Sequence, residues 1–255
     1  MTGLMSGLPD LLGLTLFVLA AFAGGIATGL AGFAFGLVVS GIWLHVLEPV
    51  QVATLIVGYG LFVQAYGIWV VRRAFNWRHV IPLVIGSVVG APAGVWLLHF
   101  LDPANLRLGV GVLLIAYSLN GLLRPQVRGI PANPPVELGI GLLNGVLGGM
   151  TGLAGVFVTV WCGLRGGSKD EQRSVYQPVI LGTFIVSAVA LVSRGALTAP
   201  TLKLGLIGVV PLIAGVIVGF RLYHRLDDLT FRKIIMVLLL LSGLVLIVPE
   251  LLALR

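Results

Sequence analysis

Five residues, Thr28-Gly29-Leu30-Ala31-Gly32, return 123 positions later as Thr151-Gly152-Leu153-Ala154-Gly155. Each copy follows a glycine pair, Gly24-Gly25 and Gly148-Gly149, inside an apolar segment too long for one simple helix, Leu11–Leu44 and Val136–Leu164. Lipid offers no hydrogen-bond partners, so a helix is interrupted within a bilayer only where protein or a wet cavity covers the break. Glycine permits the sharp turn. The half-helix after the break presents free N–H groups and a positive dipole end, which is an anion site. Thr28, Gly29, Gly32, Thr151, Gly152 and Gly155 are therefore candidate substrate-binding residues, the two threonine hydroxyls serving as helix caps, ligand contacts or both.

Other polar side chains in apolar spans face a bundle interior. Gln51 and Tyr59 share a helix face, being a little over two turns apart. Gln177 precedes Pro178, whose missing N–H frees a carbonyl. These three join the substrate-binding candidates, with interhelical hydrogen bonding as the competing role. Arg173, beside Asp170 and Glu171, is read either as a structural ion pair or as an anion-attracting gate. His99 and His224, next to Asp102 and Asp227, suit loop capping better than proton relay. Trp43 and Trp161 suit membrane-interface anchors. Asn120 and Asn144 suit helix packing, and Gly86, Gly90, Gly94 with Pro211, Gly215, Gly219 form small-residue seams. No buried carboxylate pair, phosphate-binding loop or multi-cysteine site is legible, so no enzyme, cofactor or metal is expected.

The elements that position these residues follow from composition. Of 255 residues, 58% are hydrophobic and 10% charged, with a mean hydropathy of +1.09. These values define an all-α polytopic membrane protein whose partner is the lipid bilayer. The net charge of +7 reflects Lys- and Arg-rich cytoplasmic loops, not nucleic acid. Apolar runs separated by short polar loops make eight segments, and the first is expected to be retained, with no cleaved leader. A homo-oligomer is compatible with all of this.

The duplication extends beyond the motif. Gly60 and Phe62 match Gly182 and Phe184, and Gly90, Gly94, His99, Leu101, Asp102 and Arg107 match Gly215, Gly219, His224, Leu226, Asp227 and Arg232. Residues 11–123 and 136–249 thus read as two membrane repeats joined by a cytoplasmic linker, 124–135. If each broken segment crossed once, the basic loop residues would divide evenly between the two sides. If each enters and leaves on one face, twelve gather on one side and four on the other, which the positive-inside rule favours. Each half is then a re-entrant hairpin plus three spans, or two short full passes in place of the hairpin, which the charge count does not separate. The halves are inverted and both termini face outward. Inverted repeats with discontinuous helices are a plan of secondary transporters.

The run Gly148-Gly149-Met150-Thr151-Gly152-Leu153-Ala154-Gly155-Val156-Phe157, the loop Lys169-Asp170-Glu171-Gln172-Arg173 and Tyr176-Gln177-Pro178 resemble the second-half signature of the sulfite exporter TauE/SafE family of bacterial membrane permeases. Val156-Phe157 stands where members often carry prolines, and Ala27-Thr28 interrupts a denser glycine triplet. The resemblance implies a permease of the bacterial inner membrane for small anions such as sulfite and organosulfonates. An intramembrane enzyme, a non-transporting subunit and an anion channel are the alternatives.

Overall fold

A long arm and a short returning arm open each half of the chain. The structure, a computed structural model, describes residues 9–97, 103–123, 129, 131, 133–151 and 154–253. Among these residues there are ten α-helices, one 3-10 turn and no strand. Helix α1 (Leu11–Ala31) starts where the Asp10 carboxylate accepts from the Gly13 amide at 2.8 Å. It ends at Gly32, whose φ of 88° is open to glycine and costly for other residues. Helix α2 (Phe35–Trp43) then runs back along α1. Phe35 and Val39 cover Gly24, Val46 lies near Gly13, and Trp43 stacks on Phe17 at 4.7 Å while donating its indole N–H to the Phe17 carbonyl at 3.2 Å.

The nine residues of α2 measure about 14 Å, half of the ~30 Å of hydrocarbon. By length α2 is too short to cross that thickness as a straight helix. The second broken segment folds likewise into α6 (Pro134–Thr151) and α7 (Val156–Arg165). The Gly155 amide donates to Asn144 Oδ1 at 3.1 Å, and Arg165 reaches back to Glu137 at 3.3 Å.

Two sequence expectations need correction. The first glycine pair and most of the first motif are helical, and the interruption comes after them: α1 continues through Gly24-Gly25 to Ala31 and breaks at residues 32–34, while in the second copy Gly148-Gly149 and Thr151 are the end of α6. A lone glycine inside a packed helix costs only about 1 kcal/mol, and close packing compensates for it here. Trp43 and Trp161 are not interface anchors. Both are buried, Trp43 completely, because the short arms place them against the long arms.

The remaining helices are α3 (Pro49–Val70), α4 (Trp77–Leu97), α5 (Pro103–Leu123), α8 (Lys169–Ser193), α9 (Ala199–Arg225) and α10 (Asp228–Ala253). Among the described residues α1, α3, α8 and α9 are long and apolar enough to cross a membrane. Their starts are written in the sequence. Pro49 opens α3 behind a Glu48–Gln51 capping box, Ser168 and Glu171 cap α8 reciprocally, and Thr198 caps α9. Phe231 N–H closes on the Asp227 carbonyl at the start of α10. The Thr230 hydroxyl and nearby amides hold the Asp227 carboxyl below its ordinary range.

Glycine seams join the helices across the two halves. Gly25 and Gly29 of α1 meet the backbone of α9 at Gly215 and Gly219, the two helices running parallel. Gly86, Gly90 and Gly94 of α4 meet α6 at Leu138, Leu142 and Val146, again in parallel. Helix α3 runs antiparallel to α8, with Gly60 on Phe184 and Gly67 on Gln177. Helix α5 runs antiparallel to α10, with Gly111 on Gly243 and Gly121 on Met236. Exchanging the halves maps this set of pairings onto itself.

The basic loops collect at one end. Ser174 Oγ donates to the Ala74 carbonyl at 3.1 Å, Glu137 joins His79 to Arg165, Gly129 lies against the Arg165 carbonyl, and the Lys169 amide donates to Asp228 at 2.9 Å. Loops that a single crossing per broken segment would send to opposite sides are thus in contact. His99, Leu101 and Asp102, named above, lie outside the described residues.

Candidate functional site

The tips of both hairpins meet halfway along α3. Phe33 approaches Gly155, whose φ of 104° makes it the left-handed residue before α7. Between the tips is a small cavity lined by Thr28, Phe35, Gly36 and Leu37 of the first hairpin, Gly60 and Gln64 of α3, and Ala154 and Val156 of the second hairpin. The first helical bonds of the short arms are Val38 N to Ala34 O and Thr159 N to Gly155 O. The N–H groups of Phe35, Gly36 and Leu37, and of Val156, Phe157 and Val158, therefore have no intrahelical acceptor. Two positive dipole ends face one space.

The negative end of α1 is neutralised at the same place. Arg173, fully buried, donates to the carbonyls of Gly29 at 2.9 Å, Thr28 at 3.2 Å and Leu30 at 3.4 Å. Its guanidinium lies over the Phe220 and Tyr223 rings at 4.4 and 4.5 Å. Tyr176 donates to the Ala31 carbonyl at 2.6 Å, and Gln64 Nε2 to the Gly32 carbonyl at 2.7 Å. The orphan carbonyls that end a helix are thus occupied by side chains from α3 and α8. The short-arm first-turn N–H groups have no acceptor among the described residues. The buried Gln64 Oε1 has no hydrogen-bond partner among the described residues.

The second tip is held by a polar chain. Asn144 accepts from Gly155 and donates to Ser87 Oγ at 3.1 Å, and Ser87 Oγ lies 2.8 Å from Thr183 Oγ1. All three side chains are buried.

The structure distributes the candidates from the sequence. Thr28 lines the cavity. Gly29 packs on α9, where a methyl group would lie 2.7 Å from the Val216 carbonyl oxygen. Gly32 and Gly155 form the left-handed turns at the two tips. Gln51 completes the α3 capping box, and Tyr59 donates to the Gly205 carbonyl of α9 at 2.8 Å. Neither is among the residues lining the cavity. Thr151 is the last residue of α6, and Gly152 lies outside the described residues.

Gln177 is fully buried against Gly67, with neither amide atom hydrogen-bonded among the described residues. An unsatisfied buried polar group costs about 1–3 kcal/mol. Gln177→Leu is accordingly expected to keep or raise the thermal midpoint of the purified, substrate-free protein. A fall corresponding to more than about 1 kcal/mol would reveal a partner such as an ordered water.

Sequence reading missed Gln64 as a site residue and Glu137 altogether. Gln64 carried a signal, being a lone amide in an apolar span. Glu137 follows Pro134-Pro135 at the edge of a span, where a carboxylate ordinarily reads as solvated.

Comparison with known families decides the class. The sulfite exporter TauE/SafE profile matches residues 16–246, nearly the whole chain. The chain belongs to this family. Members are membrane exporters of sulfite and related anions, in keeping with the apolar helices and with a protein that carries solute and is not an enzyme. No curated protein and no solved structure matches the chain.

Proposed function

We propose that this member of the family is a secondary carrier for a small anion, sulfite or an organosulfonate, bound between the two short-arm N-termini and moved by alternating access. The observation that carries the reading is the convergence of two unpaired first turns on one buried space. A tetrahedral oxyanion could take one N–H set on each side, with Thr28 as a further donor.

The pairings that survive exchange of the halves support inverted repeats as the moving parts, the plan in which solute binds at the repeat interface. The end carrying the basic loops is then cytoplasmic by the positive-inside rule, with both termini outside. The central cavity, about 20 Å³, holds about one water. It is too small for sulfite. Binding therefore requires the halves to part, and the structure corresponds to a closed state of the cycle.

Flux of labelled sulfite and of methanesulfonate in proteoliposomes tests the reading. Saturation and counterflow are expected. Thr28→Val should lower flux at limiting substrate about tenfold, the value of one charge-assisted hydrogen bond, while leaving the elution profile unchanged. Absence of flux for sulfite and for a panel of sulfonates and carboxylates would reject the carrier, and flux that never saturates would indicate a channel.

A further inference from the structure

A second cavity of about 210 Å³ lies at the basic end, below the short arm α7. It shares no lining residue with the central one and is lined by Asn76, His79, Arg165, Gln172 and Ser174 among others. Behind it is the completely buried carboxylate of Glu137. His79 Nδ1 lies 3.1 Å from one of its oxygens and 3.2 Å from the other, and Arg165 Nη1 lies 3.3 Å away. Both cationic partners are largely covered, with side chains 18% and 21% exposed.

The charges determine what such a cavity can hold. With His79 neutral, Glu137 and Arg165 cancel, and the cavity offers an anion no net attraction. A proton on His79 leaves one positive charge that Glu137 cannot also neutralise. An anion placed on Arg165 restores the balance. Among the described residues, the other titratable groups lining this space are Glu171 of α8 and Cys162 of α7. The Glu171 carboxylate accepts from the Ser168 amide at 2.8 Å in the α8 cap; it keeps its negative charge, which opposes an anion equally in both states of His79 and leaves the difference between them unchanged. Lys169 and Asp170 turn away, to the carbonyls of Tyr223 and Leu226 and to the Tyr223 hydroxyl. The excess charge therefore depends on His79, the residue type that ordinarily changes charge in the neutral range.

We propose that this cavity is a loading site for a small oxyanion, in which Arg165 supplies the charge and the His79–Glu137 pair ties each bound anion to one proton. Its consequence for transport rests on the carrier reading, but its binding behaviour does not. Anion and proton favour one another's binding by the same factor, as linkage requires. Arg165 ends the short arm whose first turn faces the central cavity, so an anion that draws Arg165 away from Glu137 loosens the base of that hairpin.

The test uses the purified full chain and methanesulfonate, whose charge is constant over the range. Equilibrium binding is measured at about pH 5.5 and about pH 8, together with proton uptake in weak buffer. Wild type should bind at least about tenfold more tightly at the lower pH and take up protons on binding near neutrality. Glu137→Gln should bind at the higher pH as wild type does at the lower, and His79→Gln should lose the pH dependence. Wild-type binding that ignores pH and moves no protons overturns the proposal without any variant having to fold. So does pH dependence that persists in His79→Gln. Flux with pH-indifferent binding leaves the carrier standing and removes the loading site, whereas proton-linked binding without flux does the reverse.

Discussion

Gly219→Val is expected to cost this protein its helix pairing. A carbon on Gly219 would lie 2.4 Å from the Ile26 carbonyl oxygen and 2.8 Å from Gly29 Cα. Both obstacles are backbone, so no side chain can rotate away. Overpacking a fitted core costs about 1–3 kcal/mol, and two rigid helices that must separate together put this case at or above the upper value. Helix association in lipid rests on close van der Waals approach, not on a hydrophobic drive, so little else holds α1 on α9. The expected readout is a lowered thermal midpoint in detergent and a loss of monodisperse protein. Gly139→Ala is the control, because a methyl there meets nothing within 4 Å. Equal behaviour of the two variants would mean that α1 does not lie on α9 through this seam.

Arg173→Met should have an effect of similar size for a different reason. Methionine fills much of the space but leaves the Gly29 carbonyl without its side-chain donor and the Thr28 carbonyl with the Gly32 amide alone. It also removes the cation from the negative end of α1 and from the faces of Phe220 and Tyr223. Leaving a buried carbonyl without its donor costs about 1–3 kcal/mol. Arg173→Lys should recover only part of it, because an ammonium is a compact charge and cannot span three carbonyls as the planar guanidinium does. Thermal unfolding of the three proteins, with flux measured beside it, separates two roles. A cap loses stability in both variants. A gate that acts only on passing anions would leave stability intact and lose flux alone.

The hairpins were legible because glycine-rich breaks and the distribution of basic residues are local or additive properties. Counting charges over loops predicted that Arg72–His79, Arg165–Arg173 and the α9–α10 turn share an end, and their contacts agree. The seam along Gly86, Gly90, Gly94 and Gly215, Gly219 was also legible, since spacing by four places small residues on one face. Its partner was not. That α4 lies on α6, and α9 on α1, is a long-range choice between faces that look alike in sequence.

The candidate site divided along the same line. Thr28, singled out because its motif repeats, lines the central cavity, and Gln51 lies in the α3 capping box, because an amide in a span and an amide in a capping box look alike until the helix start is known. The sequence by itself determined that this is an all-helical membrane protein with two glycine-rich interrupted segments, because hydropathy and glycine act through the chain's own neighbourhood. Only the tertiary structure decided which polar groups are already satisfied. Arg173, Tyr176 and Gln64 occupy the carbonyl end of one half-helix while the N–H ends of two others converge unpaired, and such accounting exists only once distant segments are brought within hydrogen-bond reach.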